Sequence, residues 1–196
     1  MLLPRVNRIF RHKAADLIQR VRIGFYQFIS TCHIIGLPKR NQPVHCVGLG
    51  SIEFIGQVNF GVFPSPFFYN GCCYIEARNS SAKISFGNGT WINNNFVAIS
   101  DHKSIIIGNN VLIGSFVEIY DSNFHGLEPN KRGFNSPDQS APVFIEDNVF
   151  IGSNVKILKG VTIGYDSVIA SGSIVTKSIP SGVVAGGNPA KVLKQL

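Results

Sequence analysis

Two hydrophobic periods divide the chain. Over the first thirty residues Leu2, Val6, Ile9, Phe10, Ala14, Leu17, Ile18, Val21, Phe25 and Phe28 recur at intervals of three and four, with arginines between them. That is the spacing of an amphipathic basic helix, or of a pair of them. "IIGLPKRNQP", Ile34 to Pro43, carries a glycine and two prolines and reads as a linker. From about Val44 the chain turns strand-like and is punctuated by glycine. Ile107, Ile113 and Ile119 stand six apart, and so do Ile145, Ile151, Ile157, Ile163, Ile169 and Val175. Four residues after nearly every anchor comes a small or β-branched residue: Val111, Val117, Val149, Val155, Val161, Ser167, Ser173. "FGNGTW" and "INNNFV" fit the same template more loosely upstream.

A period of six suits neither a helix nor a flat strand. It suits a short strand followed by a corner, and three such units close a triangular coil of about eighteen residues. Coils then stack, each aliphatic residue upon its copy in the next. Asparagine and glycine at the corners supply left-handed backbone. The expected fold is therefore all-β, a parallel β-helix of hexapeptide repeats behind an N-terminal helical segment. The expected divisions are a helical segment and linker over 1–43, the β-helix over 44–179 and a short C-terminal tail over 180–196.

One stretch breaks the rule. "IYDSNFHGLEPNKRGFN", Ile119 to Asn135, interrupts the hexads between Ile119 and Ile145 and contains a single histidine, His125. A loop extruded from an otherwise regular prism, carrying the side chain best suited to proton transfer near neutral pH, is a candidate catalytic element.

Charge and cysteine content narrow the setting. The net charge is +7 and unevenly placed: Arg5, Arg8, Arg11, Lys13, Arg20, Arg22, Lys39 and Arg40 fall in the first forty residues, opposed only by Asp16. Such a terminus is either a solvated helix face packed on the protein or a phosphate-seeking one, at a membrane surface or a nucleic acid. The body shows no basic-aromatic interleaving of a nucleic-acid platform. Cys32, Cys46, Cys72 and Cys73 form no CxxC pair and no zinc spacing, so they read as reduced, mostly buried residues of a cytosolic protein. Arginines recur where a signal peptide needs an apolar core, and no apolar run approaches a membrane span.

The segment "VFIGSNVKILKGVTIGYDSVIASGSIVTKSIPSGVVAGGNPAKVLKQL" closely resembles the C-terminal half of the hexapeptide-repeat acyltransferases. With "SPFFYNGCCYIEARN", "INNN" and "DSNFHGLEPNKR", the chain looks most like the maltose/galactoside O-acetyltransferase group and its relatives that modify bacterial surface polysaccharides. The likeness runs from about Phe60 to Leu196. It implies a left-handed β-helix, a homotrimer with a site in each cleft between neighbouring copies, and acetyl-coenzyme A lying along that cleft. It implies that the loop Asp121 to Pro142 brings His125 in as catalytic base, and that Asn95 holds the acceptor hydroxyl. On the coenzyme side it points to Ser153, Ser171, Thr176, Lys177, Lys191 and Lys194. Where relatives often have tryptophan before "IGSN", this chain has Phe150.

The chemistry implied is transfer of acetyl from acetyl-coenzyme A to a sugar hydroxyl of a surface polysaccharide or its precursor. A neutral imidazole removes the hydroxyl proton as it attacks the thioester. No cysteine or serine stands beside a second histidine as a covalent nucleophile would require, so transfer is expected to be direct. No metal is expected: His102 is the one other histidine near the loop, and a zinc site would need a third ligand. The carbohydrate is the expected partner, with peripheral membrane contact through residues 1–30 open and nucleic acid not expected. An N-acetyltransferase of an amino sugar nucleotide and a non-catalytic trimeric scaffold are the alternatives.

Overall fold

The computed structural model describes residues 3–133 and 135–196, and the side chains among them from Arg11 onward. Leu3–Phe28 is one α-helix, and everything from His33 coils into a triangular prism. Its first face stacks His33–Ile35, Ser51–Phe54, Lys83–Phe86, Ser104–Ile107, Val143–Ile145 and Thr162–Ile163. Its second stacks Lys39–Arg40, Asn59–Phe60, Trp91–Ile92, Leu112–Ile113, Phe150–Ile151, Val168–Ile169 and Val183–Gly187. Its third stacks Val44–Val47, Cys73–Ala77, Val97–Ser100, Glu118–Tyr120, Lys156–Ile157 and Ile174–Val175. All of these pair in parallel, and the fold is a left-handed parallel β-helix.

The hexad anchors are the core. Ile107, Ile145 and Ile163 stack on the first face, Ile113, Ile151 and Ile169 on the second, Ile119, Ile157 and Val175 on the third. Every one is buried. Aliphatic side chains stack on one another from coil to coil, so truncating one leaves a cavity costing about 2–5 kcal/mol. Toward the N-terminal end the interior widens and phenylalanine replaces isoleucine: Phe54 stacks on Phe86 at 5.3 Å and Phe60 meets Phe86 edge-on at 5.6 Å. The corners take left-handed backbone at Asn95, Asn110, Asn148, Asn154 and Asp166, with φ between 55 and 60°.

One expectation is corrected. The stretch 34–43 is no linker: His33–Ile35 pairs with Ser51–Glu53 and Lys39–Arg40 with Asn59–Phe60, so it forms the first coil. Its prolines and glycine sit at corners, where a β-helix needs breaks as much as a linker does. The helix, in turn, does not pack by its apolar face. Leu17, Ile18, Val21, Phe25 and Phe28 are all more than half exposed. The docked edge combines the Tyr26 ring, edge-on to His45 at 5.7 Å, with polar anchors: Gln19 Nε2 donates to the carbonyls of Asn41 (3.0 Å) and Phe68 (2.9 Å), and Arg22 donates to those of Tyr69 and Gly71. Leu2, Val6, Ile9 and Phe10 lie outside the described side chains. The stretch 180–196 adds Val183–Gly187 to the second face, and Ala190–Gln195 folds back antiparallel upon it.

Candidate active site

The extruded loop leaves the third face after Tyr120, at the edge where the chain turns toward the first face. Its root is tied down. Asp121 is fully buried and accepts hydrogen bonds from the backbone N–H of Asp101 (2.7 Å), Lys103 (2.8 Å) and His102 (3.3 Å) and from Ser100 Oγ (3.1 Å). The returning strand closes on it, Ala141 N–H donating to the Asp121 carbonyl at 2.8 Å. Phe124 takes φ 61°, its N–H donating to Ser122 Oγ at 2.9 Å. Its ring lies edge-on to Tyr120 and under the Arg78 guanidinium at 4.9 Å. A bulky residue in the left-handed region is sterically disfavoured, and these contacts offset that cost.

The next residue, His125, is thereby turned outward and exposed. Its Nδ1 lies 2.8 Å from the carbonyl oxygen of Arg132. A carbonyl only accepts, so Nδ1 carries the hydrogen and the neutral ring presents the Nε2 lone pair to solvent. A cleft of about 280 Å³ opens beside it, lined in part by Asn123, Glu128, Lys131, Asp138 and Lys159.

Asn95 stands on a different edge, where the second face turns to the third. Its neighbours in the run are structural: Asn93 Oδ1 accepts the Asn94 N–H at 2.7 Å, and the buried Asn94 amide holds Val62 and Pro66 of the chain above. Asn95 itself is half-buried at φ 60°, its N–H donating to Gln42 Oε1 at 3.2 Å. Gly71 rests against its Oδ1, where any side chain would collide, and that oxygen is buried without a partner among the described residues.

Down the same edge Ser115, Ser153 and Ser171 form a column: Ser115 Oγ donates to Ser153 Oγ at 3.2 Å, and Ser153 N–H to Ser171 Oγ at 3.1 Å. Glycine precedes two of them because stacked coils approach closely; a Cβ at Gly152 would sit 2.6 Å from Ser171 N. Beside this edge, on the outer surface of the second face, Trp91, Leu112, Phe150 and Val168 are successive partners. The first three are 42, 49 and 47 % exposed, an unusual apolar ladder facing solvent. At its foot Lys191 pairs with Gly186 and Lys194 with Val184, with a register shift between Val184 and Ala185. Residues three apart on a regular strand point to opposite sides. The bulge restores both lysines to the side of the apolar ladder.

Thr176 and Lys177 follow Ile174–Val175, on the edge that carries the His125 loop two coils earlier. The structure thus gathers the predicted residues into two sets. Asn95, Ser153, Ser171, Lys191 and Lys194 line one edge and its adjoining face; His125, Thr176 and Lys177 line the next. The third face separates them, about 13 Å for a strand of four residues.

Residues 142–177 match the model of the hexapeptide repeat of succinyl-transferase. YJL218W of Saccharomyces cerevisiae, which carries the name acetyltransferase, is 38% identical over 144 residues, covering 74% of this chain and 68% of that protein. Galactoside O-acetyltransferase of Lactococcus lactis is 36% identical over 146 residues, covering 74% of this chain and 65% of that one. The chain therefore spans about two thirds of the length of these relatives. A hexapeptide-repeat acetyltransferase of Vibrio cholerae, solved with acetyl-coenzyme A, superposes with TM-score 0.56 at 27% identity, covering 94% of this chain and 84% of that one.

This chain belongs to the hexapeptide-repeat acetyltransferases. In this acetyltransferase the other histidine near the loop is engaged elsewhere. His102 Nε2 lies 3.4 Å from Asn79 Nδ2 and 3.9 Å from Asp101. Among the described residues no group of three histidine, cysteine, aspartate or glutamate side chains is placed to hold a metal ion. All four cysteines are free, and burial pushes the Cys46 and Cys73 thiols up to about 12 and that of Cys72 to about 11. Sequence reasoning missed Gln42. It is buried, accepts from Asn95 N–H and donates to the Phe67 carbonyl at 2.9 Å, so it sets Asn95 against the chain above. The only signal for it was a polar residue just before a proline. It also missed that residues 61–72 form a second excursion from the prism, at the Asn95 edge.

Proposed function

We propose that this protein transfers an acetyl group from acetyl-coenzyme A to a hydroxyl of a carbohydrate, with His125 as the general base. The observation that carries the reading is the His125–Arg132 hydrogen bond, which fixes the tautomer with Nε2 free on an exposed loop. Acetyl-coenzyme A supplies the activated acyl group as a thioester. The apolar ladder of Leu112, Phe150 and Val168 suits its pantetheine arm, Ser153 and Ser171 offer hydroxyls along the arm, and Lys191, Lys194 and Lys177 suit its phosphates. From Trp91 to Val184 is four strand spacings, about 19 Å, so the lysines and Asn95 answer to a long, thin ligand rather than a compact one.

His125 Nε2 takes the acceptor's proton as its oxygen bonds to the thioester carbon, and the imidazolium returns that proton to the departing thiolate. Asn95 Nδ2 donates to the acceptor and orients it. His125 and Asn95 stand at nearly the same height on neighbouring edges of one prism. Copies arranged as a closed trimer bring His125 of one copy and Asn95 of another to one cleft, which is our reading of the active unit.

The acceptor we favour is a unit of a bacterial surface polysaccharide or its lipid-linked precursor, handled in the cytoplasm at the inner membrane face. The exposed apolar stripe of the N-terminal helix, flanked by Arg11, Lys13 and Arg20, supports contact with an anionic lipid surface. Calorimetry with acetyl-coenzyme A is the direct test. Submillimolar binding weakened by Lys191→Ala and retained in His125→Ala is the expected result, and no binding at millimolar coenzyme would return the protein to the scaffold reading.

A further inference from the structure

Above the ladder, between the helix and the second excursion, lies a cavity of about 380 Å³. Phe63, Phe68 and Tyr69 form one wall, with ring centroids 5.0–5.8 Å apart. Trp91 forms the other wall, and Asp16 and Asn41 line the remainder. Phe63, Tyr69 and Trp91 are each at least 40 % exposed, although apolar rings of this size are ordinarily covered. Asp16 is the one acid among the first forty residues, and among the described residues it makes no ion pair.

The walls are held in place. Asn94 binds Val62 and Pro66, Gln19 binds the Phe68 carbonyl, Arg22 that of Tyr69, and Asn41 Nδ2 donates to the Gly61 carbonyl at 3.1 Å. A preformed cavity with aromatic faces, one unpaired carboxylate and an amide matches a neutral pyranose. The C–H face of such a sugar packs on rings, while its hydroxyls donate to a carboxylate. A coenzyme phosphate would be repelled by Asp16.

We propose that this cavity is a second sugar subsite, which binds a neutral glycan residue next to the one that is acetylated. Trp91 lies four residues before Asn95, on the face beside the Asn95 edge, so one extended glycan reaches both. The inference rests on the reading of the acceptor as a carbohydrate, and it deepens that reading: the acceptor is an oligosaccharide, recognised along at least two residues.

Trp91 is the only tryptophan in the chain, so its emission reports on this cavity alone. Glucan, galactan and mannan tetrasaccharides, and their monosaccharides, are titrated into the full-length protein loaded with coenzyme A. Acetylation of each glycan is followed separately with acetyl-coenzyme A. At least one tetrasaccharide is expected to shift the emission saturably, at about tenfold lower concentration than its monosaccharide. Phe63→Ala and Asp16→Asn are each expected to weaken that shift about tenfold, with circular dichroism and coenzyme affinity verifying that both variants are folded. Absence of a shift with all three tetrasaccharides overturns the subsite, as does a shift that neither substitution alters. A glycan that is acetylated without moving Trp91 emission removes the subsite and leaves the transferase reading. One that binds at Trp91 without being acetylated does the reverse.

Discussion

The Nδ1 atom of His125 and the carbonyl oxygen of Arg132, seven residues apart, lie at 2.8 Å and hold the imidazole in one tautomer on an otherwise open loop. His125→Ala is expected to lower kcat by about 10²–10⁴-fold with coenzyme affinity unchanged. Steady-state kinetics beside calorimetry measures both, and a loss under threefold would remove His125 from the chemistry.

Placement of His125 and Asn95 on neighbouring edges makes a complementation experiment decisive. His125→Ala and Asn95→Ala are each expected to be inactive. When the two are unfolded together and refolded as a mixture, about a quarter of the sites in random closed trimers regain both residues from different copies. Recovered activity near that fraction supports shared clefts. A mixture as dead as its parents would mean that each copy is catalytically self-contained or that the trimer is wrong.

Lys191 and Lys194 share a side only because of the bulge at Val184/Ala185. Each alanine substitution is expected to raise the coenzyme dissociation constant by about fivefold, as for exposed ion pairs. The double variant should also flatten the salt dependence of binding, since screening acts on the contacts it removes. Deleting Leu193 removes the bulge and leaves the two lysines two apart on a regular strand, so both should stay on the ladder's side and binding should match the parent. Titrations at low and high salt report all three.

The loop root predicts a stability effect. Asp121→Ala leaves the buried Asp101 N–H and the partly buried N–H groups of His102 and Lys103 without their acceptor and is expected to cost about 2–4 kcal/mol. Thermal denaturation should show this as a Tm drop of roughly 4–16 °C for a chain of this size. Asp121→Asn, which keeps an acceptor oxygen, should lose less.

Burial holds the thiols of Cys46 and Cys73 up at about 12 and that of Cys72 at about 11, from an ordinary value of 9.0. Folded protein at pH 8 should therefore react negligibly with a thiol-specific disulfide reagent, and all four cysteines should react once unfolded. The sign for stability follows. The unfolded chain ionises first, so these groups stabilise the fold fully below about pH 9, and that contribution is lost as pH rises through 11 to 12. Rapid labelling of Cys73 in native protein would contradict the packing.

The exposed stripe of Leu17, Ile18, Val21, Phe25 and Phe28 predicts sedimentation with vesicles containing anionic lipid and weaker association with neutral ones. Val21→Asp with Phe25→Asp should abolish it while leaving the prism's melting temperature in place. Equal binding by the double variant would refute membrane contact by this face.

By itself, the sequence determined the coil. A period of six with aliphatic anchors admits one way to bury them, so the prism, its isoleucine ladders, its left-handed asparagine corners and the extrusion carrying His125 were all legible locally. What it left open depends on which elements meet. The two excursions, 61–72 and 121–142, break the count of six, so no pattern could say that Asn95 and His125 fall on different edges. The first coil passed for a linker because corner residues and linker residues are the same residues. The helix showed its apolar stripe, but which side docks was decided by Gln19 and Arg22 meeting carbonyls some twenty to fifty positions away. One extra residue at the C-terminal bulge put two lysines on the ladder's side. Periodicity is a property of neighbours along the chain, whereas edge, docking side and register are set by partners that only the folded coil brings together.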